Sequence, residues 1–210
     1  MPLDLEEQEK LAELKAWWAT NGNFIVGALL AAAIAFAGWS VWKRYEAGQA
    51  REASVLYETL SRATQAGDAR VVREAGGSLI EKYARTLYAP MGALVSARFY
   101  FEHGDAKNAK AQLRWVIENG RSDDFRDLAR LRLGAVLLDD KAYDEALKLA
   151  DAKHAAAYDA QYAALKGDIL VAKNQATEAR AAYKLALDKA PANERAFRQS
   201  VQIRLEALGG

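Results

Sequence analysis

The chain has 210 residues, and its 29 Lys and Arg against 28 Asp and Glu leave a net charge of only +1. Its basic residues are dispersed among acids instead of gathered in a stripe, so there is no electrostatic case for binding nucleic acid. The absence of Cys excludes disulfides, thiolate metal sites and a Cys nucleophile, and only three Pro in an Ala-rich chain predict helix almost throughout.

Residues 1–23 read as a short arm. Within it, residues 3–19 predict an amphipathic helix with Leu11, Leu14, Trp17 and Trp18 on one side. Its acids lie toward the N-terminus, where the helix dipole favours them. Thr20, Asn21, Gly22 and Asn23 are turn formers, and the expectation is that they interrupt this helix.

Residues 24–42 follow, reading FIVGALLAAAIAFAGWSVW without an Asp, Glu, Lys, Arg, Asn or Gln. At about 1.5 Å per residue such a helix spans roughly 28 Å, close to the ~30 Å hydrocarbon core of a bilayer. Trp17, Trp18 and Phe24 bracket it on one side, and Trp39, Trp42, Lys43, Arg44 and Tyr45 on the other. Such rings prefer the headgroup level, which predicts a single transmembrane helix in contact with lipid. A cleaved signal peptide would need a basic start and a shorter apolar run, whereas Asp4, Glu6, Glu7, Glu9 and Glu13 outnumber Lys10 and Lys15. Gly27, Ala31 and Ala35 recur every fourth residue, and small residues at that spacing let another transmembrane helix approach.

Residues 43–90 predict a connecting helix and a degenerate helical pair. The first helix continues to Gln65 with Val55, Leu56 and Leu60 on its apolar side. Gly67 and Asp68 make a turn, with Asp68 as N-cap of a helix that is loosened by Gly76 and Gly77 and ends before Pro90.

From residue 91 to 193 the chain repeats itself. Ala109, Ala146 and Ala179 align with spacings of 37 and 33, and Ala97, Gly134 and Gly167 align with the same two spacings. Each unit is an apolar helix, a short polar turn and a second helix, with a small residue wherever the two must cross closely. A helix–turn–helix period near 34 is the tetratricopeptide signature. The extra residues of the first unit are expected in the Asn119–Asp124 loop. Residues 194–210 predict a capping helix with Phe197, Val201, Leu205 and Leu208 facing inward and Asn193 as N-cap. The fold class is therefore all-α: one N-terminal transmembrane helix followed by a tetratricopeptide-like helical-hairpin solenoid.

No pattern for catalysis emerges. His103 and His154 stand alone at helix ends or turns, where an isolated His is usually solvated, and neither has a second ligand at metal spacing. Phosphate loops, HExxH and GxSxG are absent. The pairs Asp123–Asp124 and Asp139–Asp140 lie beside expected helix starts, where capping accounts for them. The reading is a non-enzyme without cofactor or metal.

The arm and span WWATNGNFIVGALLAAAIAFAGWSVW, the segment YAPMGALVSARFYFEHGDAKNAKAQL and the segment LRLGAVLLDDKAYDEAL resemble the YfgM-type bacterial membrane proteins, ancillary subunits of the SecYEG translocon. The resemblance covers essentially the whole chain. It implies an inner-membrane protein with a cytoplasmic N-terminus and a periplasmic repeat domain beside SecYEG. It also implies partnership with a membrane-anchored chaperone of the PpiD type and chaperone-like handling of emerging proteins, without catalytic residues. The charges flanking the span point the other way. Lys43, Arg44, Arg51 and Arg62 follow it while only Lys10 and Lys15 precede it, which favours a cytoplasmic repeat domain acting as an adaptor for a soluble partner. Long domains translocate largely regardless of flanking charge, so the expectation remains periplasmic.

In tetratricopeptide arrays the first helix of each pair lines the concave side. Placed in that register, Met91, Leu94, Arg98 and Phe101 face a groove, followed by Leu128, Leu131, Ala135 and Leu138 and then Gln161, Ala164, Asp168 and Val171. This largely apolar set suits an extended hydrophobic segment or a partner helix.

Overall fold

The computed structural model describes residues 5–209, with side chains from residue 7 on. Asp4 of the acidic arm and the terminal Gly210 lie outside the described residues. Among those described there are nine α-helices and no strand. The chain divides into two compact units, one up to Gln49 and one from Ala50.

Helix α1 runs Leu5–Ala66. Its N-terminal unit contains a stretch of mean hydropathy 2.2 with none of it buried, the one helix among the described residues long and apolar enough to cross a membrane. The expected break at residues 20–23 does not occur. Thr20 Oγ1 donates to the Ala16 carbonyl at 3.1 Å and Asn21 Nδ2 to the Trp17 carbonyl at 3.0 Å. These polar groups are satisfied along the helix instead of unwinding it. Gly22 lies beneath the Trp18 ring, where an added Cβ would stand 3.1 Å from the indole.

The second unit begins with the last part of α1. It continues with α2 (Ala69–Lys82), α3 (Tyr88–Glu102), α4 (Ala106–Asn119), α5 (Asp123–Asp139), α6 (Tyr143–Ala150), α7 (Asp159–Ala172), α8 (Ala176–Lys189) and α9 (Arg195–Glu206). Four of its turns share one backbone. Gly67, Gly104, Lys141 and Asn174 all have φ between 60° and 77°, and they recur at spacings of 37, 37 and 33. After each, a backbone N–H reaches five residues back: Asp68 to Ala63, Asp105 to Tyr100, Ala142 to Leu137 and Gln175 to Leu170, at 2.8–3.0 Å. That bond closes the helix C-terminus in the Schellman manner. The end of α1 and α2 thus form a unit with the same turn as the three repeats. Its core positions have diverged: Leu60 and Val72 stand where the later units have small residues.

Asp68 caps α2 as expected, accepting from Arg70 N and Val71 N. Asp105 does the same for α4, accepting from Asn108 N at 3.0 Å. The end of α2 before Pro90 is as expected, and three other expectations fail. Helix α2 stops at Lys82, and Pro90 sits inside the first turn of α3, where a missing N–H costs nothing. Asp139 and Asp140 terminate α5, and it is Ala142 that precedes α6, so these acids cap no helix start. The N-cap of α9 is Glu194, not Asn193. Gly76 does not loosen α2: an added Cβ there would meet Ser96 Oγ at 2.6 Å, so this glycine admits α3.

The alignment of small residues holds. Ala97 is 2 % exposed, and Ala109, Ala146 and Ala179 are fully buried. Gly167 accepts the Tyr183 ring of its own second helix, whose Cε1 would lie 2.4 Å from an added Cβ. Gly134 instead meets Leu165 of α7, so it serves the joint between two successive first helices. The longer first unit does not extend the loop at 119–124, which is only the three residues from Gly120 to Ser122. The added length is helical: α4 has 14 residues where α6 has 8.

A stretch of loop over residues 151–158, containing a short 3-10 turn at Ala156–Tyr158, makes up for the brevity of α6. Asp127, 2 % exposed, holds it. Its carboxylate accepts from Ala155 N at 2.9 Å and Arg130 Nη1 at 2.6 Å, while Tyr162 Oη donates to its backbone carbonyl at 3.0 Å. His154 stacks on Tyr162 with ring centroids 3.8 Å apart and approaches Asp159 at 3.3 Å, so it is not merely solvated. His103 ends α3 and stacks on Phe99 at 4.0 Å.

One buried cluster joins Leu94, Leu113, Leu133, Leu137 and Ile169, a second joins Leu60, Val72, Leu79 and Phe99, and a third packs Val201 and Leu205 of α9 on Tyr183 and Ala186. Each fully buried Leu or Ile stabilises by about 1.5–3 kcal/mol. Exposed ion pairs such as Arg114–Glu145 add roughly 0–1 kcal/mol each, so packing decides the fold.

Candidate partner-binding cleft

The first helices of the three repeats, α3, α5 and α7, line a cleft of about 460 Å³. It brings together five of the register-predicted residues: Arg98 and Phe101 from α3, Ala135 and Leu138 from α5, and Asp168 from α7. Leu113, Val136 and Leu165 complete an apolar floor. Phe101 is 41 % exposed, a large ring left in solvent at the cleft.

Other register positions lie elsewhere. Leu94 is 5 % exposed and belongs to the central cluster, and Ala164 is buried with Val201 and Leu205. Both are core residues that do not line this cleft, and Leu94 borders a neighbouring one. Leu128 and Leu131 are half-buried against the same central cluster. Met91 and Gln161 are half-buried, and the Gln161 Oε1 atom has no hydrogen-bond partner among the described residues. Val171 is exposed at 39 % but does not line the cleft. In the apolar segment of α1, Gly27, Ala31 and Ala35 are exposed, and a Cβ at Gly27 would meet nothing within 4 Å.

Sequence reasoning missed Arg132 and Asp139, which both line the cleft. They stand one position beyond Leu131 and Leu138, on the edge of the helical face that the register selected. Counting the face four residues onward from Leu128 and Ala135 finds both, since i and i+4 share a side. The cleft is therefore less apolar than expected.

Its charges differ in how they are held. Asp168 is locked: Arg204 Nη1 donates to its two oxygens at 3.0 and 2.8 Å, and Tyr183 Oη donates at 2.8 Å. Arg98 Nε donates to Glu102 at 2.7 Å, which raises the Arg98 pKa. Arg132 has only the Leu94 carbonyl, accepting from Nη1 at 3.4 Å, and no carboxylate partner among the described residues. Desolvation first, and then the neighbouring Arg98 charge, lower the Arg132 pKa. No group of three or more His, Asp or Glu among the described residues is placed to hold a metal ion. What this arrangement offers is a binding surface.

The family model for a tetratricopeptide repeat-like domain matches residues 15–210. Three relatives carry the name ancillary SecYEG translocon subunit. The protein of Neisseria gonorrhoeae is 30% identical over 99% of this chain and 100% of its own length. That of Haemophilus influenzae is 28% identical over 89% and 91%, and that of Escherichia coli K12 is 26% identical over 84% and 85%. No solved structure matches the chain. The chain belongs to the ancillary SecYEG translocon subunit family, with a tetratricopeptide repeat-like domain.

Proposed function

We propose that the protein is a non-enzymatic, single-pass inner-membrane scaffold that assists the SecYEG translocon. The N-terminus is cytoplasmic, residues 24–42 cross the bilayer, and the repeat domain handles polypeptide in the periplasm in a chaperone-like way. The repeats extend over residues 91–193 in this reading, with 43–90 connecting and 194–210 capping. Its contacts are SecYEG and a membrane-anchored chaperone of the PpiD type, and the cleft between α3, α5 and α7 is where polypeptide or the chaperone docks. The observation that carries the reading is the near full-length correspondence with relatives named for that role. An exposed Phe101 over an apolar floor supports docking by an apolar segment.

The test replaces Phe101 and Leu138 by Glu, singly and together, in the full-length chain and follows crosslinking to translocon and chaperone in cells. The double variant is expected to lose those adducts, and because Leu138 packs on the central cluster it is Phe101→Glu alone whose circular dichroism melt should stay close to that of the parent. Intact crosslinking in a folded double variant would reject the cleft and turn attention to Gly27, Ala31 and Ala35 in the membrane.

A further inference from the structure

Arg98 and Arg132 line two clefts at once. Besides the one already described, both border a second of about 380 Å³ whose wall includes Thr64 and Gln65 near the end of α1, Val95 and Phe99. The two arginines thus stand where one cleft meets the other. Arg132 is the singular charge of the pair. Its side chain is exposed, faces a second cation and touches no carboxylate among the described residues. Two neighbouring guanidinium groups, one of them without a carboxylate, attract an anion, an attraction that solvent at the exposed surface reduces. A planar guanidinium beside an apolar surface is suited to a carboxylate, which it can hold with two parallel N–H bonds.

The remaining charges narrow the choice. Asp139 lies seven residues after Arg132 on α5, so a negative group stands about 10 Å along the helix from the positive one. Asp168, held by Arg204, lines the same cleft and Glu102, paired with Arg98, lines the second, so charges of both signs make the clefts poor receptors for a uniformly acidic or phosphate-rich ligand. The apolar floor formed by Leu113, Val136 and Leu165 lies beside the arginines and calls for apolar neighbours to the acid. Cleft lies on both sides of the arginine pair and leaves room for chain on either side of a bound acid. That geometry fits a side chain within a segment, not a chain terminus.

We infer that Arg132, with Arg98 beside it, selects apolar polypeptide segments that carry an internal Asp or Glu side chain. This rests on the proposed polypeptide-binding cleft and gives it a specificity. In tetratricopeptide terms, the selecting residue lies outside the four positions assigned to the groove, which is why the register made the groove look indifferent to charge.

The probes are fluorescein-labelled, C-terminally amidated peptides of apolar residues with a single central Glu, Gln or Lys, titrated into the full-length protein in detergent micelles. The Glu peptide is expected to bind about tenfold more tightly than the Gln peptide, in line with one charge-assisted hydrogen bond, and the Lys peptide weakest. In Arg132→Gln that preference should collapse toward unity while the Gln peptide binds as before. Arg98→Gln should reduce the preference less, because Arg98 is already paired with Glu102. Equal binding of the Glu and Gln peptides to the parent would overturn the inference and leave the cleft standing. Failure of every peptide to bind would overturn both. A preference that survives Arg132→Gln in a protein with an unchanged melt would place the selection elsewhere. A Gln peptide with a free C-terminal carboxylate that matched the Glu peptide would make the terminus, not an internal side chain, the ligand.

Discussion

Tyr162 and Tyr183 are phenols 1 % and 2 % exposed, and both are locked by charged or polar partners. Burial first, and then the Asp127 charge, push Tyr162 up to about 12. Burial followed by the hydrogen bond to Asp168 raises Tyr183. In an unfolded chain a phenol titrates near 10, so folding favours the neutral form. The stabilisation is complete below about pH 10 and is lost as pH rises from there through the folded values. Melts of the detergent-solubilised chain should show the melting temperature falling above about pH 10. Tyr162→Phe should start lower at neutral pH, having lost its bond to the Asp127 carbonyl, yet fall less steeply. An unchanged alkaline slope in that variant would remove Tyr162 from the account. Tyr183 occupies the aromatic position of the last repeat, whereas Tyr162 and the partners of both phenols were not legible in the sequence. Asp127 and Asp168 lie 35 and 15 positions from the phenols they serve, Arg204 lies 36 from the Asp168 it holds, and no local pattern links residues so far apart. Arg132 was missed for another reason: a four-position rule for the groove is narrower than the face of a real helix.

At the scale of the element, the helices themselves were the legible part. Apolar periodicity, the Asp68 cap and the recurring small residues located the hairpins, because each records a steric or hydrogen-bonding demand made within one turn or one crossing. What the sequence did not disclose were helix ends set by distant groups. The segment DAKHAAAY has the composition of a helix, yet it is drawn out into loop by the Asp127 carboxylate and the Tyr162 ring. Thr20 and Asn21 have the composition of a turn, yet they satisfy themselves on the helix ladder. The crossings offer the direct test. Ala109, Ala146 and Ala179 have no exposed surface, so Leu at any of them should overpack a junction and cost about 1–3 kcal/mol. Lys173 is an unsuitable control, since it is half-buried and paired with Asp144. Lys184 is exposed, and Lys184→Leu should change stability by no more than about 0.5 kcal/mol. Equal shifts for all four variants in thermal melts would disprove the alignment of the repeats.

At the scale of the whole molecule the open dimension is sidedness. The flanks of the apolar span carry Lys43, Arg44, Arg51 and Arg62 against Lys10 and Lys15, and they argue for the cytoplasm, against the periplasmic orientation proposed above. With the proposed orientation, alkaline phosphatase fused after Gly210 is active and green fluorescent protein fused there is dark. Added Lys at Gln8 and Thr20 should reinforce that result. The reverse pattern would make the chain a cytoplasm-facing adaptor. The joints of the repeat array carry a further implication, about lengthening. Two are closed by pairings of their own, Gly92 under Leu79 and Gly134 under Leu165, while Gly167 takes Tyr183 within its own unit. A copy of α5–α6 inserted after itself would set Gly134 against Arg132 of the copy, since Leu165 stands two residues before Gly167 and Arg132 two before Gly134, so a guanidinium would replace the leucine that fills the joint. These hairpins are parts cut for single positions and not interchangeable modules, so the array cannot be extended by duplication as a consensus solenoid can.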